Sequence, residues 1–329
     1  MVKIVVLDDY QGVALSLADW SKFSPGTEIT VLSHNLEGKQ EIIKQLGEFE
    51  VISAMRERTV FSADILNQLP NLKLLVTTGM RNASIDLYAA TELGILVCGT
   101  EGSAQSTSEL TWGLILALLR HIPEENMSIR KGEWQKTVGN SLEGKTLGVL
   151  GLGRLGSQVA MIGQAFGMSV ITWSQNLTEE RALEFNAELV TKDMLFAESD
   201  VVTIHLQLSD RTRGLVGSKE FALMKSNAYL INTSRGPIVD EPALITALQE
   251  GWINGAGLDV YDEEPLADSH PLTALRNTIL TPHLGYVTEE GYRVFYAQTV
   301  EDIQAYLAGE NPLRLLNPAV LGRERNMKA

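Results

Sequence analysis

Cysteine is nearly absent from the sequence: Cys98 is the single thiol in 329 residues, so no internal disulfide can form and a reducing compartment suits the chain. It stands in the apolar run Ile95 to Cys98, which makes it a buried structural thiol rather than a nucleophile. Positive charge is short as well. Lys and Arg total 27 against 41 Asp and Glu, a net −14, and a surface of that sign repels phosphate backbones and anionic lipid. Nucleic acid and membranes are therefore disfavoured as direct partners. Long apolar runs are also missing: Leu110 to Leu119 ends at Arg120, well below the roughly 20 residues needed to span a bilayer. The opening MVKIVVLDDY holds a first strand too short for a signal peptide, and a cytoplasmic location is expected. We find no repeat of fixed period, no low-complexity tract, no metal-ligand spacing and no Ser/His/Asp hydrolase pattern.

What remains is 44 % apolar and 21 % charged, the composition of a globular protein, in a chain long enough for two domains. Lys3 to Leu7, Ile29 to Leu32, Val51 to Ala54, Leu72 to Thr77 and Ile95 to Cys98 are short runs rich in Val, Ile and Leu, separated by helix patterns. Ser62 is placed to cap a helix over Ala63 to Leu69, and Ser84 to open one that Gly94 closes. This alternation predicts a parallel sheet covered by helices. Periodicity breaks at Gly99 to Gln105, after which Ser106 to Lys131 reads as one long helix. Further strands are expected at Ser169 to Trp173, Val201 to His205, Ala228 to Asn232, Asn254 to Leu258 and Thr278 to Leu280, then a last helix from Val287 to Leu307. That helix has no strand after it, so we assign it to the first domain. The expected division is 1–98 with 287–329, and 99–286. The charged tail from Gly322 to Ala329 is expected to fray.

Within the second unit, the strand-like Thr146 to Leu150 runs into Gly151, Gly153 and Gly156, spaced G-x-G-x-x-G, and a helix-like segment follows. Gly151 allows the tight turn, Gly153 lets a pyrophosphate approach the backbone, and Gly156 lets helix and strand pack closely. The helix N-terminus adds free N–H groups and about half a positive charge. Gly151, Gly153, Arg154, Leu155 and Gly156 are thus read as a dinucleotide cradle. Three polar groups fall just after other strands, where ligands of open α/β sheets bind: Arg235, the segment Asp259 to Glu264, and His283.

The segments GLGRLG, NTSRGPIVDEPAL, GAGLDVYDEEPL and TPHLG, in this order and separation, resemble the D-isomer-specific 2-hydroxyacid dehydrogenase family, which includes phosphoglycerate dehydrogenase and glyoxylate/hydroxypyruvate reductases. The match spans nearly the whole chain. It implies an α/β subunit in which a Rossmann cofactor domain is inserted into a flavodoxin-like substrate domain. It also implies an active site in the cleft and, usually, a homodimer. The activity implied is hydride transfer between NAD(P)H and a 2-keto or D-2-hydroxy acid. The alternative, from another functional class, is a dinucleotide-sensing regulatory protein of the same fold; the chain lacks an appended interaction region, which tilts toward the enzyme.

Carried onto this sequence, the resemblance makes His283 the acid/base, Glu264 its partner and Arg235 the binder of the substrate carboxylate. Reduction places negative charge on the C2 oxygen, which a protonated imidazole neutralises, and a neighbouring carboxylate favours the charged ring. Glu264 is chosen over Glu263 because it directly precedes Pro265. Arg235 offers the planar fork that suits a carboxylate. Asp259 matches the residue that receives the nicotinamide carboxamide, and Thr233 lines the same ring. Thr107 is either a cofactor contact or an N-cap, and His205 either a contact near the cofactor or structural; His34, His121 and His270 are structural or surface residues.

Where an Asp or Glu usually binds the ribose 2′-OH, the strand ends in Ser174 and Gln175. The carboxylate that repels a 2′-phosphate is gone, yet only Arg154 and Arg181 are near enough in sequence to attract one. NAD and NADP therefore both stay open. Arg56 matches the family's substrate-facing arginine, with Arg58 read as a surface neighbour. Gly79, Met80, Arg81 and Asn82 match the loop whose backbone N–H groups bind the substrate carboxylate. Arg81, unusual there, either binds a second anionic group or ties the loop to an acidic neighbour. RKGEW, Arg130 to Trp134, resembles a segment buried across a two-fold, with Trp112 and Trp134 supplying apolar area.

Overall fold

The computed structural model describes residues 1–102 and 105–323. Two compact units result: one from Met1–Ser103 with Thr288–Ala329, the other from Ala104–Val287. The second is thus an insertion in the sequence of the first.

The first unit is a five-stranded parallel sheet of β1 (Val2–Val6), β2 (Thr27–Val31), β3 (Val51–Ala54), β4 (Leu74–Thr77) and β5 (Leu96–Gly99). Its order, β2-β1-β3-β4-β5, is the doubly wound flavodoxin order. β3, β4 and β5 are buried along their whole length, as expected where helices cover both faces, which is why they read as runs rich in Val, Ile and Leu. The helix Glu289–Leu307 lies in this unit, capped by the Thr288 hydroxyl, which accepts from the Gly291 N–H. Cys98 is fully buried in β5, and burial pushes its thiol up, out of reach of thiolate chemistry.

The second unit holds β6 (Thr146–Leu150), β7 (Ser169–Trp173), β8 (Glu188–Leu189), β9 (Val201–Ile204), β10 (Tyr229–Asn232), β11 (Gly255–Leu258) and β12 (Thr278–Leu280). All seven pair in parallel in the order β12-β11-β10-β9-β6-β7-β8, a Rossmann sheet with one added strand. Its two faces bury separate clusters, one around Phe196 and Phe221, the other around Trp112 and Leu147. Among the described residues no helix is long and apolar enough to cross a membrane.

Several local expectations are corrected. The long helix is two, Gln105–Leu119 and Ile122–Arg130, broken where His121 adopts a left-handed φ of 50°. Pro123 accounts for the break: it has no N–H to bond the Leu119 carbonyl of a continuing helix, but suits a first turn. Ser62 occupies the N-cap position with no side-chain cap bond, over a shorter helix, Ala63–Leu66. Asp86, not Ser84, caps the next helix, its side chain accepting from the Ala89 N–H. Strand β8 was not expected. Ser103 and Ala104, within the Gly99 to Gln105 break, and residues 324–329 of the tail lie outside the described residues.

Candidate active site

The glycine turn is shaped by close approaches. Gly151 has φ 101°, and its N–H donates to the Trp173 carbonyl at 2.9 Å, pinning the turn to the end of β7. A Cβ on Gly156 would lie 2.0 Å from the Gly151 oxygen, so helix Arg154–Ala165 can rest on the turn only without one. Gly153, at the N-cap, is the opposite case: a Cβ there would meet nothing within 4 Å. An open face, a helix N-terminus and a first turn free of acidic residues fit a pyrophosphate. Arg154 is exposed on this turn and Leu155 half-buried. His205 follows β9 beside the turn, its carbonyl 2.9 Å from where a Gly151 Cβ would be. Its Nε2 meets the Thr203 hydroxyl at 2.9 Å, and burial lowers the imidazole to about 4, so it is neutral at pH 7. Ser174, half-buried, and Gln175, exposed, follow β7 with no carboxylate at either position. Arg181 is engaged on its own helix, paired with Glu184 and stacked 4.4 Å over Phe185.

The sequence brings the other groups to neighbouring strand ends. After β10, the Asn232 amide donates to the Arg235 carbonyl at 2.9 Å and its oxygen accepts from the Ser234 N–H at 3.0 Å, closing a turn that presents Arg235. The Thr233 hydroxyl, buried here, meets that of Thr111 at 2.8 Å. After β11, Asp259 is fully buried and accepts from the Thr281 hydroxyl at 2.6 Å and the N–H groups of Leu284 and Gly285 at 2.7 and 2.9 Å. Burial pushes this carboxyl up, against those donors and the His283 charge. The loop it grips carries His283, which is held at φ 54°. Thr107 grips the same loop, donating to the Gly285 carbonyl at 2.8 Å.

His283 and Glu264, 19 residues apart in sequence, meet at 2.6 Å between Nδ1 and Oε2. The other oxygen of Glu264 accepts from the Tyr261 N–H at 3.0 Å. Burial opposes ionisation of Glu264, but the hydrogen bond and charge of His283, the Tyr261 N–H and the Arg235 charge hold its carboxyl below the usual range. A carboxylate on Nδ1 fixes the proton there and leaves Nε2 for chemistry. The Arg235 charge also acts on the same carboxylate.

In the first unit, considered by itself, the ends of β3 and β4 interlock. Arg56 adopts φ 52°, its N–H donating to the Thr78 hydroxyl at 2.9 Å, and its guanidinium passes where a Gly79 Cβ would be, 1.9 Å from Nη1. Asn82 holds the loop from beneath through the Arg56 carbonyl at 2.5 Å and the Thr77 hydroxyl at 2.8 Å. Met80 and Arg81 are exposed. The Gly79 N–H is already taken by the Thr100 hydroxyl at 2.9 Å. Arg58 is not a surface charge: it donates to the Asp8 carbonyl at 2.8 Å and stacks 4.5 Å over Tyr10. Sequence reasoning missed the bracing residues Asn232, Thr111, Thr281 and Tyr261; of these only Asn232, in the turn signal Asn-x-Ser, left a readable trace. Among the described residues no group of three His, Cys, Asp or Glu is arranged to hold a metal ion.

Comparison with known proteins points the same way. The profile of the D-isomer specific 2-hydroxyacid dehydrogenase NAD binding domain matches residues 112–285. The chain is 40 % identical over 312 residues to the glyoxylate reductase of Aeropyrum pernix, covering 92 % of this chain and 90 % of that protein. It is 37 % identical to the D-3-phosphoglycerate dehydrogenase of Methanocaldococcus jannaschii, spanning 99 % of this chain but 61 % of that longer protein. A phosphoglycerate oxidoreductase structure from Vibrio cholerae O395 superposes with a TM-score of 0.88 at 35 % identity, covering 94 % of this chain and 100 % of that one. With matches of this length laid over the strand ends described above, the chain belongs to the D-isomer specific 2-hydroxyacid dehydrogenase family.

Proposed function

We propose that the protein is a 2-keto acid reductase, working reversibly on the D-2-hydroxy acid, with His283, Glu264 and Arg235 as its acid/base, partner and carboxylate binder. The observation that carries this reading is the 2.6 Å contact between His283 Nδ1 and Glu264, within the electrostatic reach of Arg235. When bound, the dinucleotide supplies the hydride delivered to C2. His283 donates a proton from Nε2 to the C2 oxygen as charge develops there, and takes it back in the reverse direction. Glu264 stabilises the imidazolium and fixes the ring orientation. Arg235 holds the substrate carboxylate with two N–H groups.

Gly151, Gly153, Arg154, Leu155 and Gly156 hold the pyrophosphate, with His205, Thr233, Asp259 and Thr107 around the remainder of the dinucleotide. Asp259 and Thr107 also brace the His283 loop through the bonds given above. Ser174 and Gln175 lack the charge that rejects a 2′-phosphate, so neither NADH nor NADPH is turned away at this position. On the first unit, the substrate domain in this reading, substrate binding is assigned to Arg56, Arg81, Met80, Gly79 and Asn82. The N–H groups of Met80 and Arg81 are the better candidates for an anion, since that of Gly79 has an internal acceptor.

Oxidation of NADH and of NADPH against glyoxylate, hydroxypyruvate and pyruvate tests the reading. Glyoxylate comes first because the Aeropyrum relative, covered nearly end to end, is a glyoxylate reductase. Tight dinucleotide binding with no turnover on any keto acid would favour the regulatory alternative, which the dehydrogenases and reductases among the relatives disfavour. A homodimer is also proposed: Trp112, expected to supply interface area, is buried in the core and gives none, but Trp134, 73 % exposed, lines a groove of about 600 Å³ together with Leu116, Ile122 and Ile129. Sedimentation of a single-chain species alone would overturn it. The single buried thiol and the absence of a described membrane-crossing helix support a cytoplasmic location.

A further inference from the structure

We infer that Tyr261 is a positioning residue for the acid/base pair, tying together the three segments that carry Arg235, Glu264 and His283. This rests on the assignment of His283 as the acid. Tyr261 is 6 % exposed and makes three separate connections.

Its main-chain N–H donates to Glu264 Oε1 at 3.0 Å, which leaves Oε2 turned to His283. Its hydroxyl reaches the Leu258 carbonyl at 3.2 Å and the Thr281 carbonyl at 3.0 Å, spanning the ends of β11 and β12. The Thr281 carbonyl is also the acceptor of the His283 N–H, at 3.0 Å. The phenol therefore bonds the very oxygen that closes the turn into the histidine. Its carbonyl carbon, finally, lies 2.0 Å from where a Gly236 Cβ would be, so the turn after Arg235 rests directly on the Tyr261 backbone.

The left-handed conformation of His283 explains the need. A non-glycine residue at φ 54° is strained and persists only where its surroundings over-determine it. Asp259 grips the loop on the C-terminal side of His283 through Leu284 and Gly285. Tyr261 grips it on the N-terminal side through Thr281. Burial, with the charges of Asp259 and Glu264, pushes the phenol up, so it stays a donor throughout the working pH range.

Tyr261→Phe keeps the ring and the main-chain N–H and deletes only the hydroxyl. We expect kcat to fall between about twofold and tenfold, the range of one hydrogen bond's net worth, with dinucleotide Kd and keto acid KM near wild type. The basic limb of the kcat–pH profile should move about half a unit to lower pH as the imidazole loosens from Glu264. In Tyr261→Phe/Glu264→Gln, the limb should stand where Glu264→Gln alone puts it. An unmoved limb in the single variant, or a further shift in the double, overturns the inference. So does a Phe variant too unstable to assay, because the hydroxyl would then be holding the fold and not the pair. His283→Ala run alongside separates the two levels: if it retains wild-type kcat, the acid assignment itself has failed, whereas a collapse there with an unmoved Tyr261→Phe limb rejects only the positioning role.

Discussion

Two alanine substitutions three residues apart in the glycine turn should have different consequences. In Gly156→Ala, the new methyl would fall 2.0 Å from the Gly151 oxygen, 3.1 Å from its carbon and 3.2 Å from Val149 Cγ1. None of these neighbours is the end of a flexible chain, so helix Arg154–Ala165 must lift off β6. Overpacking of this kind costs about 1–3 kcal/mol, and at about 3 °C per kcal/mol the Tm drops several degrees. Lifting the helix also moves its first-turn N–H groups, so dinucleotide affinity falls with stability. In Gly153→Ala the methyl points into open space at φ −82°, which any residue adopts. Stability should change by less than about 1 kcal/mol, since the poorer N-cap preference of Ala offsets a stiffer unfolded chain. Dinucleotide affinity should fall all the same, because the methyl occupies the approach of the pyrophosphate. Thermal melts and NADH fluorescence titrations on both variants decide it. Unchanged Tm in Gly156→Ala, or unchanged affinity in Gly153→Ala, would refute the account of the cradle.

Ser174→Asp restores the repelling carboxylate and should lower kcat/KM for NADPH about tenfold or more while NADH is spared; an unchanged ratio would show that the position does not meet the ribose. His205, lowered to about 4 from 6.5, binds its proton more readily when unfolded. Its contribution is complete above about pH 6.5 and lost as pH falls toward 4, and it is worth at most about 3 kcal/mol. Wild-type Tm should therefore decline more steeply between pH 6.5 and 4.5 than that of His205→Gln; parallel slopes would place the ring in solvent.

Much of the fold could be read from the chain because fully covered parallel strands leave uninterrupted Val/Ile/Leu runs, and β12 begins and ends where its residues suggest. Strand β8 could not be, since two residues carry no period and the pairing with β7 alone defines it. The helix break at His121 was legible in Pro123 but outweighed by the apolar run before it. In the site, chemistry-bearing residues stand out as types, and Glu264 and His283 are brought together by the parallel pairing of β11 and β12. Bracing contacts do not stand out. The Thr107 hydroxyl, expected as a cap or a cofactor contact, also meets a carbonyl 178 positions away. The Gly79 N–H was expected to face substrate and is bonded to Thr100. Such bonds depend on which strand ends become neighbours, which no local pattern encodes.

The most direct test of the central claim is single-turnover reduction of the keto acid by His283→Ala with saturating dinucleotide. The account predicts a rate roughly a hundredfold to ten-thousandfold below wild type with dinucleotide affinity retained. A rate equal to wild type would contradict it.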